Sequence, residues 1–365
     1  MADNSSSLSL LTVLKPGGSS HIGAESKPAK TIDQMIALMS ERGLVITDEA
    51  ELRRVLFDCN YYRLSGYFRP FQVNPAVGDN RYRPGTRDVD FLVPYAMDEK
   101  LRNIILKGTA KVELTLRSRI AYLLASDGNA YTYMDPGSYQ DVRNKRGELL
   151  RDNLLRNMDK WMKMSNEVCM RHYRRKGGPV PVWAAVETFP FDTLSRMLSL
   201  HADAKALREL YRSVGLRTNL RTSSEVVHAM VYLRNLCSHH ARLWHREMVI
   251  SSPMTRDMKT AFADFEYGEK SVASSLLALM YLVRNIEDGD DGDPRLPRRE
   301  RCIRLWNQDG PALGMSCRIQ ESHMRCGIRI PLSRMAGERE RKGACDDRAV
   351  GYGSAGWRQV VQARG

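Results

Sequence analysis

The sequence of 365 residues lacks several patterns by which common protein classes are recognised. It has no run of about 18 apolar residues, so neither a membrane-spanning helix nor a membrane partner is expected. Its first residues, MADNSSSLSLLTVLKPGGSS, lack the basic start of a secretory signal, and we expect none there. Alternation of apolar and polar residues is nearly absent, which argues against a sheet of half-buried strands.

Motifs of several enzyme and binding-protein classes are missing as well. Without a GxSxG or Cys–His motif there is no support for a nucleophilic hydrolase, and without a P-loop there is none for nucleotide hydrolysis. No helix-turn-helix pattern stands out, which lowers the case for a DNA-binding or adaptor protein. The seven cysteines are odd in number and form no CxxC pair. We therefore expect reduced thiols, a cytoplasmic protein, and no metal or other cofactor.

An excess of positive charge is the main feature of the composition. Lysine and arginine number 56 against 43 aspartate and glutamate residues, giving a formal net charge of +13. Hydrophobic residues at 42% and charged residues at 27% are ordinary for a globular protein. The charge favours an anionic partner such as nucleic acid, although it speaks to association and not to fold.

The chain divides into three zones. Residues 1–26 are rich in serine and glycine and are expected to be flexible. Residues 27–287 follow a predominantly helical pattern and are expected to form one all-α domain. Residues 288–365 open with DGDDGDPRLPRRER and show weak apolar periodicity, so a poorly ordered basic tail is expected. The positive balance of the protein persists without this tail.

Helical spacing of apolar residues is clear at several places in the middle zone. A capping-box pattern at Thr31 and Gln34 opens a first short helix. The apolar stripe of residues 88–125 predicts one or two long helices, whereas the prolines and glycines of residues 70–85 predict an irregular connection. Further helices are predicted over 48–62, over 146–175, from 182 onward, over 223–240 and over 257–286.

Residues 234–246, RNLCSHHARLWHR, form a dense polar cluster directly after the apolar run VVHAMVYL. Arginine is always charged and matches phosphate oxygens, and histidine exchanges a proton near neutral pH. Arg234 and His239 therefore have the groups for phosphodiester chemistry without a metal. On a regular helix they lie roughly 140° apart. Their convergence needs a helix end, a bulge or a second copy across a dimer interface, and a two-fold dimer fits best.

Five motifs, in order, resemble the Abi-like (abortive infection, AbiD/AbiF-type) family of bacterial proteins, which belongs to the wider HEPN group of helical RNA-cleaving domains. They are NYYRLSGYFRPF (60–71), YAMDEKLRNIIL (95–106), VELTLRSRIAYLL (112–124), PVWAAVETFPFDTLSRML (181–198) and YLRNLCSHHARLWHR (232–246). Two positions depart from the family pattern: Ser238 stands where alanine is usual, and His245 where asparagine is usual.

The resemblance implies an all-α, HEPN-like helical bundle with extra N-terminal helices. It also implies the RxxxxH signature of HEPN ribonucleases, here Arg234 and His239 with Asn235 in the second position. Such enzymes cut RNA without a metal, often through a site composed from two protomers, and act in phage defence. His239 would then move a proton at the 2′-hydroxyl or the leaving 5′-oxygen. Arg234 would stabilise the transition-state charge, and Asn235 would orient the imidazole or hold a phosphate oxygen.

Other residues are weaker candidates for contacts with RNA, and a structural role competes at each. Four of them follow His239 in the same polar cluster. They would either bind the phosphates that flank the cleaved linkage or form a solvated face: His240, Arg242, His245 and Arg246. Arg63 lies among aromatic residues that would either stack bases or pack helices together. Arg117 would line an RNA groove or pair with an acid. Cys237 is expected to be a small buried residue.

Two functions therefore stay open at this point. The first is a cytoplasmic defence ribonuclease, a homodimer whose toxicity a bound antitoxin-like RNA or protein, or a conformational block, would restrain. The second is an RNA-binding module without cleavage, such as a sensor or a guide-RNA partner.

Overall fold

The computed structural model describes residues 29–288 of the chain. Twelve α-helices and one two-stranded sheet make up these residues, so the expected all-α fold class is confirmed. The flexible segment expected over 1–26 and the tail expected from 288 lie outside the described residues, apart from Asp288. No helix in the described part of the chain is both long and apolar enough to cross a membrane.

The chain divides between Leu92 and Val93 into two units. The helices are α1 (Ile32–Glu41), α2 (Glu49–Cys59), α3 (Tyr61–Phe68), α4 (Val89–Leu124), α5 (Leu150–Met164), α6 (Val168–Lys176), α7 (Val182–Ala185), α8 (Phe191–Leu200), α9 (Ala204–Ser213), α10 (Leu220–Ser238), α11 (Arg256–Ala261) and α12 (Val272–Asp288). The strands are β1 (Gln72–Asn74) and β2 (Asp79–Tyr82), which pair antiparallel.

The first unit begins with the predicted capping box. The Thr31 hydroxyl accepts from the Gln34 N–H at 3.2 Å, and the Gln34 side chain accepts from the Thr31 N–H at 2.9 Å, so this prediction is confirmed. Asp88 is fully buried and accepts hydrogen bonds from the backbone N–H groups of Thr47 and Asp48 at 2.9 and 2.8 Å. This carboxylate fixes the loop from which α2 begins, because a buried charge must be fully hydrogen-bonded.

The aromatic residues of α3 form a packing hub within the first unit. The Phe68 ring lies edge-on to the rings of Tyr61, Tyr82 and Phe91, with centroids 5.3, 5.9 and 5.7 Å away. Edge-on contacts of this kind stabilise aromatic cores beyond the area they bury. The structural interpretation of this motif is therefore the better one, although the Tyr62 side chain, 75% exposed, remains at the surface.

The core of the second unit forms between α4, α8, α10 and α12. The predicted stripe of α4 is confirmed, since Ile105, Val112, Leu116 and Ile120 are all fully buried. α10 packs against α8, α9 and α12, and its apolar positions join the same core. This packing fixes the rotation of α10 about its axis, and with it the direction in which the polar residues of its last turn point.

The structure differs from the predicted elements at several places. The hairpin β1–β2 lies inside the expected irregular connection, because three- and four-residue strands are too short to show alternation. The helix predicted over 146–175 is two helices, α5 and α6, because the backbone is extended at Ser165, directly after α5. The helix predicted over 257–286 is also two, with a loop at 262–271. α9, capped by the Asp203 carboxylate, has no counterpart among the predicted helices.

His201, directly after α8, is a buried titratable group in the second unit. Its ring is 5% exposed and lies edge-on to Tyr139, with centroids 5.2 Å apart. Its Nδ1 accepts a hydrogen bond from the Asp203 N–H at 3.1 Å. Burial lowers the pKa of this imidazole, because the charged form loses its hydration, and the nearby Asp203 offsets only part of that effect.

We predict that His201 makes the protein less stable in mild acid. In the unfolded chain this histidine takes up its proton near pH 6.5, whereas the folded protein binds it only at lower pH. The unfolded state thus binds more protons, and the free energy of unfolding falls as the pH drops from about 7 to about 5. A His201→Asn variant keeps an acceptor for the Asp203 N–H but cannot titrate, so urea unfolding should show a weaker pH dependence.

The matched control is His228→Asn on the exposed face of α10, since histidine and asparagine have similar helix propensities. This variant should keep the pH dependence of the parent protein. An unchanged pH dependence in His201→Asn would show that His201 contributes nothing to acid destabilisation.

Candidate functional site

The last turn of α10 and the turn that follows it carry the polar cluster. α10 ends at Ser238, and His239 is its C-cap residue. His240 adopts a left-handed conformation with φ 52°, its N–H donates to the Cys237 carbonyl at 3.0 Å, and the Ala241 N–H donates to the Leu236 carbonyl at 2.8 Å. These two bonds define a Schellman motif. A helix end is therefore present at His239, and the second copy across a dimer interface, which the sequence favoured, stays a prediction.

A buried carboxylate from α4 holds the turn after α10. Asp98 accepts from the backbone N–H of Leu243 at 2.8 Å and from that of Trp244 at 3.1 Å. The same carboxylate pairs with Arg102 one turn along α4, at 3.3 Å. Asp98 and Arg102 are only 4% and 5% exposed. Two backbone donors and a guanidinium satisfy the buried charge, so α4 fixes the path of the chain beyond His240.

The turn is also braced by its own side chains. The Arg242 guanidinium donates to the Trp244 carbonyl, and Nε of Arg246 donates to the Arg242 carbonyl at 2.6 Å. His245 has φ 47°, and its ring lies edge-on to Trp244 with centroids 4.5 Å apart. Although the ring reaches solvent, partial desolvation and the nearby Arg242 lower the pKa of His245. Two of the four supporting candidates thus have a structural task in this turn.

The predicted catalytic residues lie at the junction of helix and turn. Nη1 of Arg234 donates to Oδ1 of Asn235 at 3.2 Å, and both side chains are half-buried. The His239 N–H donates to the Asn235 carbonyl at 3.0 Å, and the side chains of His239 and His240 are exposed. Arg234 and Asn235 are therefore in direct contact, with His239 following at the surface. Within residues 29–288 no side-chain hydrogen bond joins Arg234 to His239.

Cys237 is buried beneath this junction, as expected. Its side chain is inaccessible to solvent. Burial raises the pKa of the thiol to about 12, an effect that the nearby Arg102 only partly offsets. The thiol is therefore protonated at neutral pH, and it packs the last turn of α10 without acting as a nucleophile.

Arg117 and Arg63, two of the predicted RNA contacts, lie outside the last turn of α10 and the turn that follows it. Nη2 of Arg117 donates to the Glu113 carboxylate at 2.7 Å and to the Phe189 carbonyl at 3.0 Å, and the side chain is 12% exposed. This guanidinium pins α4 to the loop before α8, so the pairing interpretation of Arg117 is the better one. Arg63 lies half-buried on α3 in the first unit.

No group of three or more histidine, cysteine, aspartate or glutamate side chains in residues 29–288 is arranged to hold a metal ion.

The fold and this site define a helical protein that presents arginine, asparagine and histidine at a capped helix end. A family model described as Abi-like protein matches residues 54–245, which is more than half of the chain. The chain belongs to the Abi-like protein family, and this membership suggests a role in abortive infection defence. The match includes Asp98 and the segment from Arg234 to His239. No curated protein and no solved structure matches the chain.

Asp98 is a residue that the sequence did not single out, and its removal should loosen the turn. Asp98→Asn removes the negative charge that Arg102 and two amides share. We expect a loss of about 3 to 5 kcal/mol in the free energy of unfolding, because a buried charge is left without its partner. The amides of Leu243 and Trp244 should exchange with solvent faster than in the parent protein.

The chain offers a matched control in Asp192→Asn. Asp192 and Arg196 form the same i,i+4 pair on α8, but their side chains are 42% and 53% exposed. Removing an exposed pair costs about 0.2 to 1 kcal/mol. Equal losses of stability in the two variants would contradict the anchoring role of Asp98.

Proposed function

We propose that this protein is a metal-independent endoribonuclease of the HEPN type that acts in abortive infection defence. Its substrate is RNA, which supplies its own nucleophile, the 2′-hydroxyl beside the scissile phosphate. The observation that carries this proposal is the Arg234–Asn235 pair on the last turn of α10, followed at once by the exposed imidazole of His239.

The reaction is a transfer of the phosphoryl group within the RNA. The 2′-oxygen bonds to phosphorus, the bond from phosphorus to the 5′-oxygen breaks, and a 2′,3′-cyclic phosphate and a 5′-hydroxyl result. One imidazole takes the proton of the 2′-hydroxyl, and another gives a proton to the leaving 5′-oxygen. His239 would fill one of these roles in each copy of a homodimer, so that one cleft holds both.

Arg234 is suited to stabilise the extra charge on the phosphorane-like transition state. One of its N–H groups is engaged by Asn235, which limits the orientations that the planar guanidinium adopts. Partial burial of the pair lowers the local dielectric constant, so each remaining N–H interacts more strongly with a phosphate oxygen than it would in open water. In this proposal Asn235 positions the arginine, whereas the sequence suggested that it orients the imidazole or holds phosphate.

A toxic activity of this kind needs restraint in the host. We propose a cytoplasmic effector held in check by an antitoxin-like RNA or protein. His240, Arg242, His245 and Arg246 would supply contacts to flanking phosphates, with Arg242 and Arg246 holding the turn at the same time.

A second candidate function is RNA binding without cleavage, as in a sensor or a guide-RNA partner. One observation favours it: within residues 29–288 no hydrogen bond orients the His239 ring. Catalytic histidines usually have a partner that sets their tautomer and orientation. The two functions differ in what happens when the imidazole is removed.

Replacement of His239 by alanine is the decisive experiment. General acid–base groups typically contribute about 10² to 10⁴ in rate, so His239→Ala should lose cleavage by at least that lower factor. Growth arrest on expression should disappear, together with 2′,3′-cyclic phosphate ends in mapped cellular RNA. His228→Ala, an exposed histidine on the same helix, should behave as the parent protein. Three results would contradict the proposed ribonuclease: toxicity of His239→Ala equal to that of the parent protein, RNA products with 3′-hydroxyl ends, or strict dependence of cleavage on magnesium.

A mixing experiment tests the two-protomer site. Arg234→Ala and His239→Ala should each be inactive as pure proteins. Their mixed dimer would hold one intact Arg234 and one intact His239 in the shared cleft, so the arginine and one of the two proton-transfer roles return together. Mixing after subunit exchange should therefore restore a part of the cleavage that neither pure variant shows. If the mixture is no more active than the pure variants while co-purification of differently tagged copies shows mixed dimers, the site is not composed from two copies in this way.

A further inference from the structure

α6 carries a concentration of positive charge that the proposed cleavage site does not use. Its sequence is VCMRHYRRK, and three arginines and a lysine lie on its exposed side. A groove of about 600 Å³ opens beside it to solvent. The residues that line this groove are Asn166, Val168, Arg171, Arg174 and Arg175.

Spacing brings these arginines together. Arg171, Arg174 and Arg175 stand at i, i+3 and i+4, and therefore share one face of α6. Arg174 is held in place, since its guanidinium donates to the carbonyls of Lys163 at 2.7 Å and Ser165 at 2.5 Å. Arg171 and Arg175 are exposed to solvent. The groove is thus lined by one guanidinium that backbone carbonyls hold and by two exposed ones.

In the part of the chain that the structure describes, no ion pair neutralises the charge of Arg171, Arg175 or Lys176 on this face. Some other helical arginines of the same unit are paired, as Arg196 is with Asp192 and Arg221 with Glu225, each at 3.0 Å. Like charges at this spacing repel one another and destabilise the helix, so their clustering calls for an external anion.

Helix stability explains only part of the cluster. Cations in the last turn interact favourably with the helix dipole, which accounts for Arg174, Arg175 and Lys176. Arg171 is the fourth residue of α6, where the same dipole disfavours a positive charge. A purely local role therefore leaves Arg171, a lining residue of the groove, unexplained.

We propose that the α6 groove binds the phosphate backbone of RNA, as a docking site separate from Arg234 and His239. Arginine matches phosphate oxygens in geometry as well as charge. An anionic membrane is the less suitable partner, because a membrane-surface helix inserts its apolar face. Met170, on the apolar face of α6, is buried in the protein core instead. The inference rests on the proposed function for its ligand, RNA, but on no cleavage step.

The test measures RNA binding in the full-length His239→Ala protein, which should leave the probe intact. The probe is a short fluorescent single-stranded RNA, titrated at salt concentrations from about 0.05 to 0.2 M. Arg171→Gln combined with Arg175→Gln should lower the slope of log affinity against log salt by about 1.4, which is two single-strand phosphate contacts at about 0.7 each. Near physiological salt this amounts to roughly tenfold weaker binding.

The matched control is Arg208→Gln combined with Arg212→Gln on α9. These two arginines have the same i,i+4 spacing, are exposed, and belong to the same unit, but they line no groove together with α6. This pair should keep both the affinity and the slope. Thermal unfolding of both double variants should match that of the parent, which shows that the folded protein is compared throughout.

Each outcome separates this inference from the proposed cleavage. If both pairs of substitutions change RNA affinity equally, or neither does, the α6 groove is not an RNA site, even when the protein with His239 intact cleaves RNA. If that protein never cleaves but RNA affinity depends on Arg171 and Arg175, the docking site stands and the ribonuclease fails. Binding to phosphatidylglycerol vesicles through α6, without binding to RNA, would also overturn the inference.

Discussion

The buried carboxylate of Asp98 is the interaction on which the polar cluster depends. It joins α4 to a turn 145 residues further along the chain, through the N–H of Leu243. That turn contains two non-glycine residues, His240 and His245, in left-handed conformations. Each costs about 1 to 2 kcal/mol, whereas a hydrogen bond to a charged group contributes about 1.5 to 3 kcal/mol. The two bonds to Asp98 are therefore of the right size to offset the strain.

Burial on one side of α10 explains why the polar residues collect where they do. Met230, Leu233 and Cys237 are fully buried and fix the rotation of the helix. Arg234 and Asn235 follow Leu233 around the helix and are left half-buried at the edge of the core. The Schellman motif then releases His239 from the helical repeat. Packing, capping and the Asp98 anchor thus together place the polar residues at this helix end.

Much of this arrangement could be predicted from the sequence, because the patterns that indicate it involve residues close together along the chain. The capping box at Thr31, the apolar stripe of α4 and the polar cluster after VVHAMVYL each show as a pattern of residues at most a few positions apart. Asp98 gave no such signal, since a lone carboxylate on a long amphipathic helix resembles a solvated charge. Two of its partners are backbone N–H groups, which almost every residue has, so the amino-acid sequence does not show where such partners lie. Arg117 was ambiguous for a similar reason, as one of its acceptors is the Phe189 carbonyl.

The cations of the two basic features differ in how firmly the protein holds them. Arg234, Arg242 and Arg246 each donate to an oxygen of the same helix end, so their positions are set before any ligand arrives. Arg171 and Arg175 on α6 are exposed and form no ion pair within residues 29–288. Catalysis needs groups placed to within a fraction of an ångström, whereas backbone docking needs charge along a path and tolerates motion. The proposed cleavage would therefore draw on Arg234, whose guanidinium Asn235 holds, and the proposed docking would draw on the exposed Arg171 and Arg175.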